Sequence, residues 1–349
     1  MTLDQGVLDA FLDRFVGDLG ATAAAGSVVI GHRLGLYRAL AEGPASPAEL
    51  ADRTGTQVRP VTEWLRGQAA GGYVTHGDGV FRLTEEQAFC LADPDGPVYL
   101  PGAFLLALGA LRAERRITDS FRTGTGMGWH AHDPDVFLGC DAFFRPGYLA
   151  NLTSSWIPAL DGVDAALRAG GRVADVGCGL GASSVLMAQA YPRASVSGSD
   201  YHDESIGMAA ERAAEAGLAD RVRFEVAAAT TFSGTGYDLV TTFDCLHDMG
   251  DPVGAARHIR DALADDGCWL LVEPTAGDDL AANTHPIGRM YYGFSTLLCV
   301  PNALAQHGDR ALGTQAGPRA LEEVAREAGL TRFQRVLSTP FNDIYDVRR

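Results

Sequence analysis

Apolar residues recur at helical spacing from residue 8 to residue 42, at Leu8, Phe11, Phe15 and Leu19 and again at Val29, Ile30, Leu34, Leu36 and Leu40, which predicts two helices. Ser46-Pro47-Ala48-Glu49 then reads as a helix start: Ser46 caps, Pro47 fits the first turn, and Glu49 completes a capping box. Another helix is predicted around Val58 to Gly71. The two β-prone stretches flanking Gly77-Asp78-Gly79 predict a hairpin, so this region reads as a winged helix. From residue 171 the pattern changes. Short β-prone runs at Arg172 to Val176, Ala194 to Ser199, Val222 to Val226, Asp238 to Thr242 and Trp269 to Glu273 alternate with helical ones, which predicts an α/β, doubly wound parallel sheet. Gln334 to Thr339 and Asp343 to Val347 add a final antiparallel pair, for seven strands in all.

The expected organisation is a winged-helix and dimerisation domain over 1–115, a connecting helical segment over 116–170 that includes one helical stretch from Tyr148 to Leu167, and a catalytic domain over 171–349. Charge narrows the partners. The 349 residues carry 28 basic and 44 acidic side chains, a net charge of −16, which repels nucleic-acid phosphates and anionic lipid. The winged region itself holds four arginines, at 53, 59, 66 and 82, against the acids Glu49, Asp52, Glu63, Asp78, Glu85 and Glu86, so a structural role is favoured over DNA binding. Every basic residue is arginine, which removes Schiff-base chemistry and a P-loop lysine. Six dispersed cysteines without a C-x-x-C pair, together with an N-terminus that lacks a leader pattern and the absence of a long apolar run, point to a cytoplasmic protein with no membrane partner.

Chemistry concentrates in Asp175-Val176-Gly177-Cys178-Gly179-Leu180-Gly181, a glycine turn between a strand and a helix that lets a ligand approach the backbone. The next strand ends at Asp200, nineteen residues beyond Gly181, where a carboxylate can accept ribose hydroxyls. Asp175 decides between cofactors. A carboxylate beside the turn opposes a pyrophosphate but favours the ammonium and sulfonium of S-adenosylmethionine (SAM). These residues resemble motif I and the acidic loop of class I SAM-dependent methyltransferases. Tyr237 to Asp244 and Asp265 to Pro274 resemble the fourth and fifth strands of that family. The resemblance implies cofactor contacts from Asp175, Gly177, Gly179, Gly181, Asp200, Tyr201, Phe243 and Tyr148. It also implies one from Ala228, although the sequence has Val226-Ala227-Ala228-Ala229 where the family often places an acid that reads adenine.

Asp244-Cys245-Leu246-His247-Asp248 resembles the His-Asp segment of plant-type small-molecule O-methyltransferases, whose histidine is the general base and whose winged-helix domain dimerises. Phe143 to Tyr148, Phe-Phe-Arg-Pro-Gly-Tyr, is similar to a segment of bacterial winged-helix methyltransferases. The resemblance thus implies a homodimeric enzyme that methylates a small aromatic or branched aliphatic molecule of secondary metabolism. His247 and Asp244 are its catalytic candidates, and Trp129, Phe144, Met290, Tyr291 and Phe294 are its substrate-binding candidates. An imidazole suits removal of a phenolic proton. Three alternatives stay open. His247 could cap the next helix. His247 and Asp244, with a distant histidine among His130, His132, His285 and His307, could hold a metal for C-methylation of a 2-oxo acid. The chain could also be a ligand-sensing regulator.

Overall fold

Asp4 accepts the amide of Val7 and starts α1 (Gln5–Arg33), and α2 (Leu36–Ala41) follows after Gly35, whose φ of 67° makes the bend. The computed structural model describes residues 3–306, 308 and 310–349. It divides into two units, Met1–Leu108 with Leu138–Pro146, and Gly109–Phe137 with Gly147–Arg349.

In the first unit, the predicted capping box forms at α3 (Pro47–Thr54), where Ser46 and Glu49 bond each other's backbone amides. Next come α4 (Val58–Ala70), the hairpin β1 (Thr75–Gly77) and β2 (Val80–Arg82), and α5 (Glu85–Leu91). Asp78 and Gly79 turn the hairpin, with φ of 54° and 77°. The core gathers Val28, Leu36, Tyr37, Leu50, Leu65 and Phe81. Trp64 Nε1 donates to the Ser27 carbonyl at 2.7 Å, tying the C-terminal half of α1 to α4. The N-terminal half of α1 differs: Val7, Phe11, Phe15, Val16 and Leu19 are each more than half exposed. Two further helices, α6 (Pro101–Leu111) and α7 (Glu114–Thr123), precede α8 (Pro134–Asn151), whose middle belongs to the first unit and whose ends belong to the second.

The second unit is built on a seven-stranded sheet. Its elements run α9 (Val163–Ala169), β3 (Arg172–Val176), α10 (Ala182–Ala190), β4 (Ser195–Asp200), α11 (Asp203–Glu215), β5 (Val222–Val226), β6 (Tyr237–Phe243), α12 (Pro252–Ala262), β7 (Leu263–Pro274), α13 (Pro286–Phe294), α14 (Val300–Ala305), α15 (Gly317–Glu327), β8 (Arg332–Ser338) and β9 (Asn342–Arg348). The strand order is β5-β4-β3-β6-β7-β9-β8, parallel except for β9, which runs antiparallel to both neighbours as predicted. The order reverses between β3 and β6, where open α/β sheets form a ligand crevice at the carboxyl ends of their strands. Alternate residues serve two cores. Val173, Leu239, Leu270 and Val272 pack on α9 and α10, while Ala174, Val240, Leu271 and Tyr345 pack on α12 and α15.

Two expectations are corrected. The stretch from Tyr148 to Leu167 is not one helix: α8 ends at Asn151, a π turn covers Leu152–Trp156, and Pro158 lies in a tight turn before α9, where its ring and missing amide cannot continue an α-helix. The strand expected from Trp269 begins at Leu263, because a register shift between Tyr237 and Leu239 lets Asp265-Asp266-Gly267 bulge out and rejoin β6.

Leu270 is wholly buried between the central strands. Leu270→Ala is expected to cost about 2–5 kcal/mol through lost burial and a cavity. Denaturant unfolding of the second unit's tertiary signal measures this, and a loss below about 1 kcal/mol would mean that the site collapses readily.

Candidate active site

The glycine turn closes β3 onto α10. Gly177, Gly179 and Gly181 have φ of 73°, 50° and 73°, a conformation that side chains resist. Two of the three are also packed: a Cβ on Gly177 would meet Cys245 Sγ at 2.7 Å, and one on Gly181 would meet Ala209 Cβ at 2.8 Å. Over Gly179 there is nothing within 4 Å, so the turn is open at that residue. Asp200, half-buried at the end of β4, accepts the Gly179 amide at 3.0 Å and the His202 amide at 2.9 Å. Burial raises its pKa despite those bonds.

Asp175 is wholly buried and accepts hydroxyls from Ser183 (2.6 Å), Ser184 (2.6 Å) and Thr241 (2.8 Å). From the sequence it is expected to touch a ligand's positive charge directly. With both oxygens taken and no exposed surface, it instead fastens the turn to α10 and β6 from beneath.

The second cluster lies at the carboxyl ends of β6 and β7. His247 follows β6 on a tight turn at Leu246–Asp248, buried, with Nδ1 2.5 Å from Oε2 of Glu273 on β7. The other carboxylate oxygen of Glu273 accepts the Leu246 amide at 2.9 Å. Cys299 hydrogen-bonds the same imidazole. Burial opposes the imidazolium, but Glu273 and Cys299 outweigh it and hold the pKa well above the ordinary 6.5. His247 does not cap the next helix: Asp251 caps α12, accepting the Gly254 amide at 2.8 Å. Asp244 does not orient the imidazole either, since Glu273 occupies Nδ1. Asp244 adopts φ of 50°, and its Oδ1 accepts Asn342 Nδ2 at 2.6 Å. Its Oδ2 is buried without a partner, and its pKa is pushed up to about 8, by burial first and then by Glu273. Burial likewise carries Asp248 up to about 7.

The other predicted positions separate. Tyr201 donates to Asn302 Oδ1 at 2.8 Å and accepts the Trp129 amide at 3.2 Å, joining the loops at 129 and 201 to α14. Tyr148 packs on Phe243 with ring centroids 5.1 Å apart. Ala228 is exposed after β5. Phe144 belongs to the first unit, against Phe143. Met290 and Phe294 are half-buried on α13, but Tyr291 is buried and its hydroxyl donates to the Phe341 carbonyl at 2.7 Å, so it packs rather than lines an open wall. A cavity of about 450 Å³ is lined by Phe121, Tyr292, Ser295, Val300, Leu304 and Gly313; none of the predicted site residues lines it, and its one tie to His247 is the Gly313 amide, which donates to the His247 carbonyl at 2.9 Å. Of the distant histidines, His130 is exposed, His132 is buried and His285 caps α13, while His307 lies outside the described residues. Among the described residues no three His, Cys, Asp or Glu side chains are grouped to hold a metal, and no helix is long and apolar enough to cross a membrane.

Residues 167–328 match a methyltransferase domain and residues 22–93 match an Rv2258c-like winged HTH domain. The chain is 30% identical over 264 residues to 3-hydroxy-5-methyl-1-naphthoate 3-O-methyltransferase of Streptomyces sahachiroi, covering 70% of this chain and 72% of that relative. The chain belongs to the SAM-dependent methyltransferase family. Solved structures share the methyltransferase fold: human N-acetylserotonin methyltransferase in complex with SAM has a TM-score of 0.71 at 17% identity, covering 100% of this chain and 99% of that one. Mitomycin 7-O-methyltransferase has a TM-score of 0.67 at 21% identity, covering 99% and 100%.

Sequence reasoning about this methyltransferase missed Glu273, Cys299, Asn302 and Asn342. Glu273 had a signal, a carboxylate ending an otherwise apolar strand. The other three had none, because only the sheet order and the packing of 295–302 bring them near His247.

The glycines are expected to separate in stability. Gly181→Ala meets both an unfavourable φ and a clash and is expected to lose about 1–3 kcal/mol more than Gly179→Ala, which carries backbone strain alone. Equal losses in urea unfolding would contradict the packing difference.

Proposed function

We propose that this chain transfers a methyl group from SAM to an oxygen of a small organic molecule, with His247 removing the proton. The observation that carries the reading is the buried His247–Glu273 pair at the carboxyl ends of β6 and β7. SAM supplies a methyl group already activated on a sulfonium, so the chain's task is to hold, align and deprotonate. The crevice fits it. Gly179 leaves room against the backbone, Asp200 ends β4 with a half-buried carboxylate, and Asp175 keeps the turn rigid. Tyr148, Phe243, Tyr201 and Ala228 complete the set that would hold it. Glu273 fixes His247 with Nδ1 toward the carboxylate and strengthens the ring as a base, which makes Nε2 the basic nitrogen, where an acceptor hydroxyl would take the place of the Cys299 thiol. The half-buried Met290, Phe294 and Trp129 suit a ring-sized apolar acceptor, in keeping with the naphthoate named for the S. sahachiroi relative.

His247→Ala is expected to lower turnover by about 10² to 10⁴ while SAM affinity by calorimetry stays unchanged. The base must be unprotonated, and Glu273 raises its pKa, so the wild-type rate is expected to climb on the alkaline side. Removing the negative charge with Glu273→Gln moves that climb to lower pH and lowers the plateau. Near-normal turnover by His247→Ala would end this mechanism.

The exposed stripe Val7, Phe11, Phe15 and Leu19 supports a homodimer joined through α1, because apolar residues at every fourth position of a long helix form one uncovered face. Free cysteines support a reducing, cytoplasmic location. Light scattering is expected to report a dimer for the wild type and a monomer for Phe11→Asp/Phe15→Asp. A monomeric wild type at micromolar concentration would refute the dimer.

A further inference from the structure

Among the described residues, Asp244 keeps one buried carboxylate oxygen, Oδ2, without a hydrogen-bond partner. It follows β6 with φ of 50°, a left-handed conformation that glycine adopts without strain. Its carboxyl group is clamped, with the main-chain amide donating to the Val272 carbonyl at 2.9 Å and Oδ1 accepting Asn342 Nδ2 at 2.6 Å. The same Asn342 amide reaches the Glu273 carbonyl at 3.5 Å, which sets Asp244 beside the His247–Glu273 pair. That clamp leaves Oδ2 buried and without a partner, a position that costs free energy until a ligand supplies a hydrogen bond. The charged and polar groups around it are Glu273, His247, Asp248, Asn342 and Tyr291, whose hydroxyl donates to the Phe341 carbonyl, and none of them bonds Oδ2.

We propose that Asp244 sets acceptor specificity: its Oδ2 hydrogen-bonds a second hydroxyl carried next to the hydroxyl that is methylated, so the preferred acceptor is a vicinal dihydroxy aromatic ring. This rests on the methyl-transfer reading above. A hydroxyl is the fitting partner because it donates to an ionised carboxylate and accepts from a protonated one, and the Asp244 pKa lies near neutrality, about 8. Oδ1 is already an acceptor, so in the neutral form the proton resides on Oδ2. A carboxylic acid held neutral in an apolar site can donate a hydrogen bond in this way.

The test compares 2,3-dihydroxynaphthalene with 2-naphthol as methyl acceptors for the full-length enzyme. Wild type is expected to favour the diol by about tenfold or more in kcat/KM, the range set by leaving a buried polar group unpaired. Asp244→Gly suits the backbone and removes the carboxyl group, so it is expected to lose that preference through KM for the diol, the ratio of kcat/KM for the two acceptors falling toward one. Asp244→Asn keeps a polar atom in place and is expected to retain most of the preference. Equal preference in wild type and Asp244→Gly overturns the assignment, as does wild type that binds SAM yet methylates neither phenol. Failure to bind SAM would instead overturn the methyl-transfer reading and this inference with it.

Discussion

A carboxylate at the end of a buried strand is costly unless each oxygen finds a donor, and Glu273 finds two: the Leu246 amide and the His247 ring. Those bonds set much of the crevice. They bend the chain after β6 into the tight turn at Leu246–Asp248, because the amide and the imidazole must reach the same carboxyl group. They also need β6 and β7 in register up to Phe243 and Val272, so that Glu273 arrives one residue later beside Asp244. Strand β9 closes the arrangement. Its first residue, Asn342, pairs with Pro274 and anchors Asp244, so an antiparallel strand from the end of the chain braces two parallel ones.

The two acids expected at the cofactor, Asp175 and Asp200, have opposite surroundings. Asp175 is sealed under the turn by three hydroxyls, and Asp200 stands half-buried beside the open face of Gly179. One fastens the loop from below; the other lies at its open side. With Asp244 and Asp248 nearby, and with burial raising both pKa values, the crevice has an excess of acids, which a cationic ligand such as SAM would relieve.

Much of the fold was legible. Short β-prone runs alternating with helical ones located the seven strands of the large sheet, and Ser46-Pro47-Ala48-Glu49 located a helix start to the residue. The pattern failed where local signals give way to packing: Pro158 and the π turn interrupt a continuous helical periodicity, and the bulge at Asp265-Asp266-Gly267 hides the start of β7. At the site, the residues written next to one another, Gly177 to Gly181 and Asp244 to His247, were visible as motifs. Glu273 and Asn342 were not, because they join His247 and Asp244 across strands, and strand order carries no local signature. Asp175 was visible but misplaced in role, since only the structure reveals that Ser183, Ser184 and Thr241 converge on it.

The central claim is that Glu273 holds His247 as a strong, oriented base. Nitrogen-detected NMR of ring-labelled histidine, titrated in wild type and in Glu273→Gln, reads this at His247 itself. The account predicts a His247 pKa well above 6.5 in wild type, with the Nδ1 proton retained when the ring is neutral, and a clear fall in Glu273→Gln. An ordinary pKa near 6.5 that is the same in both proteins would contradict it.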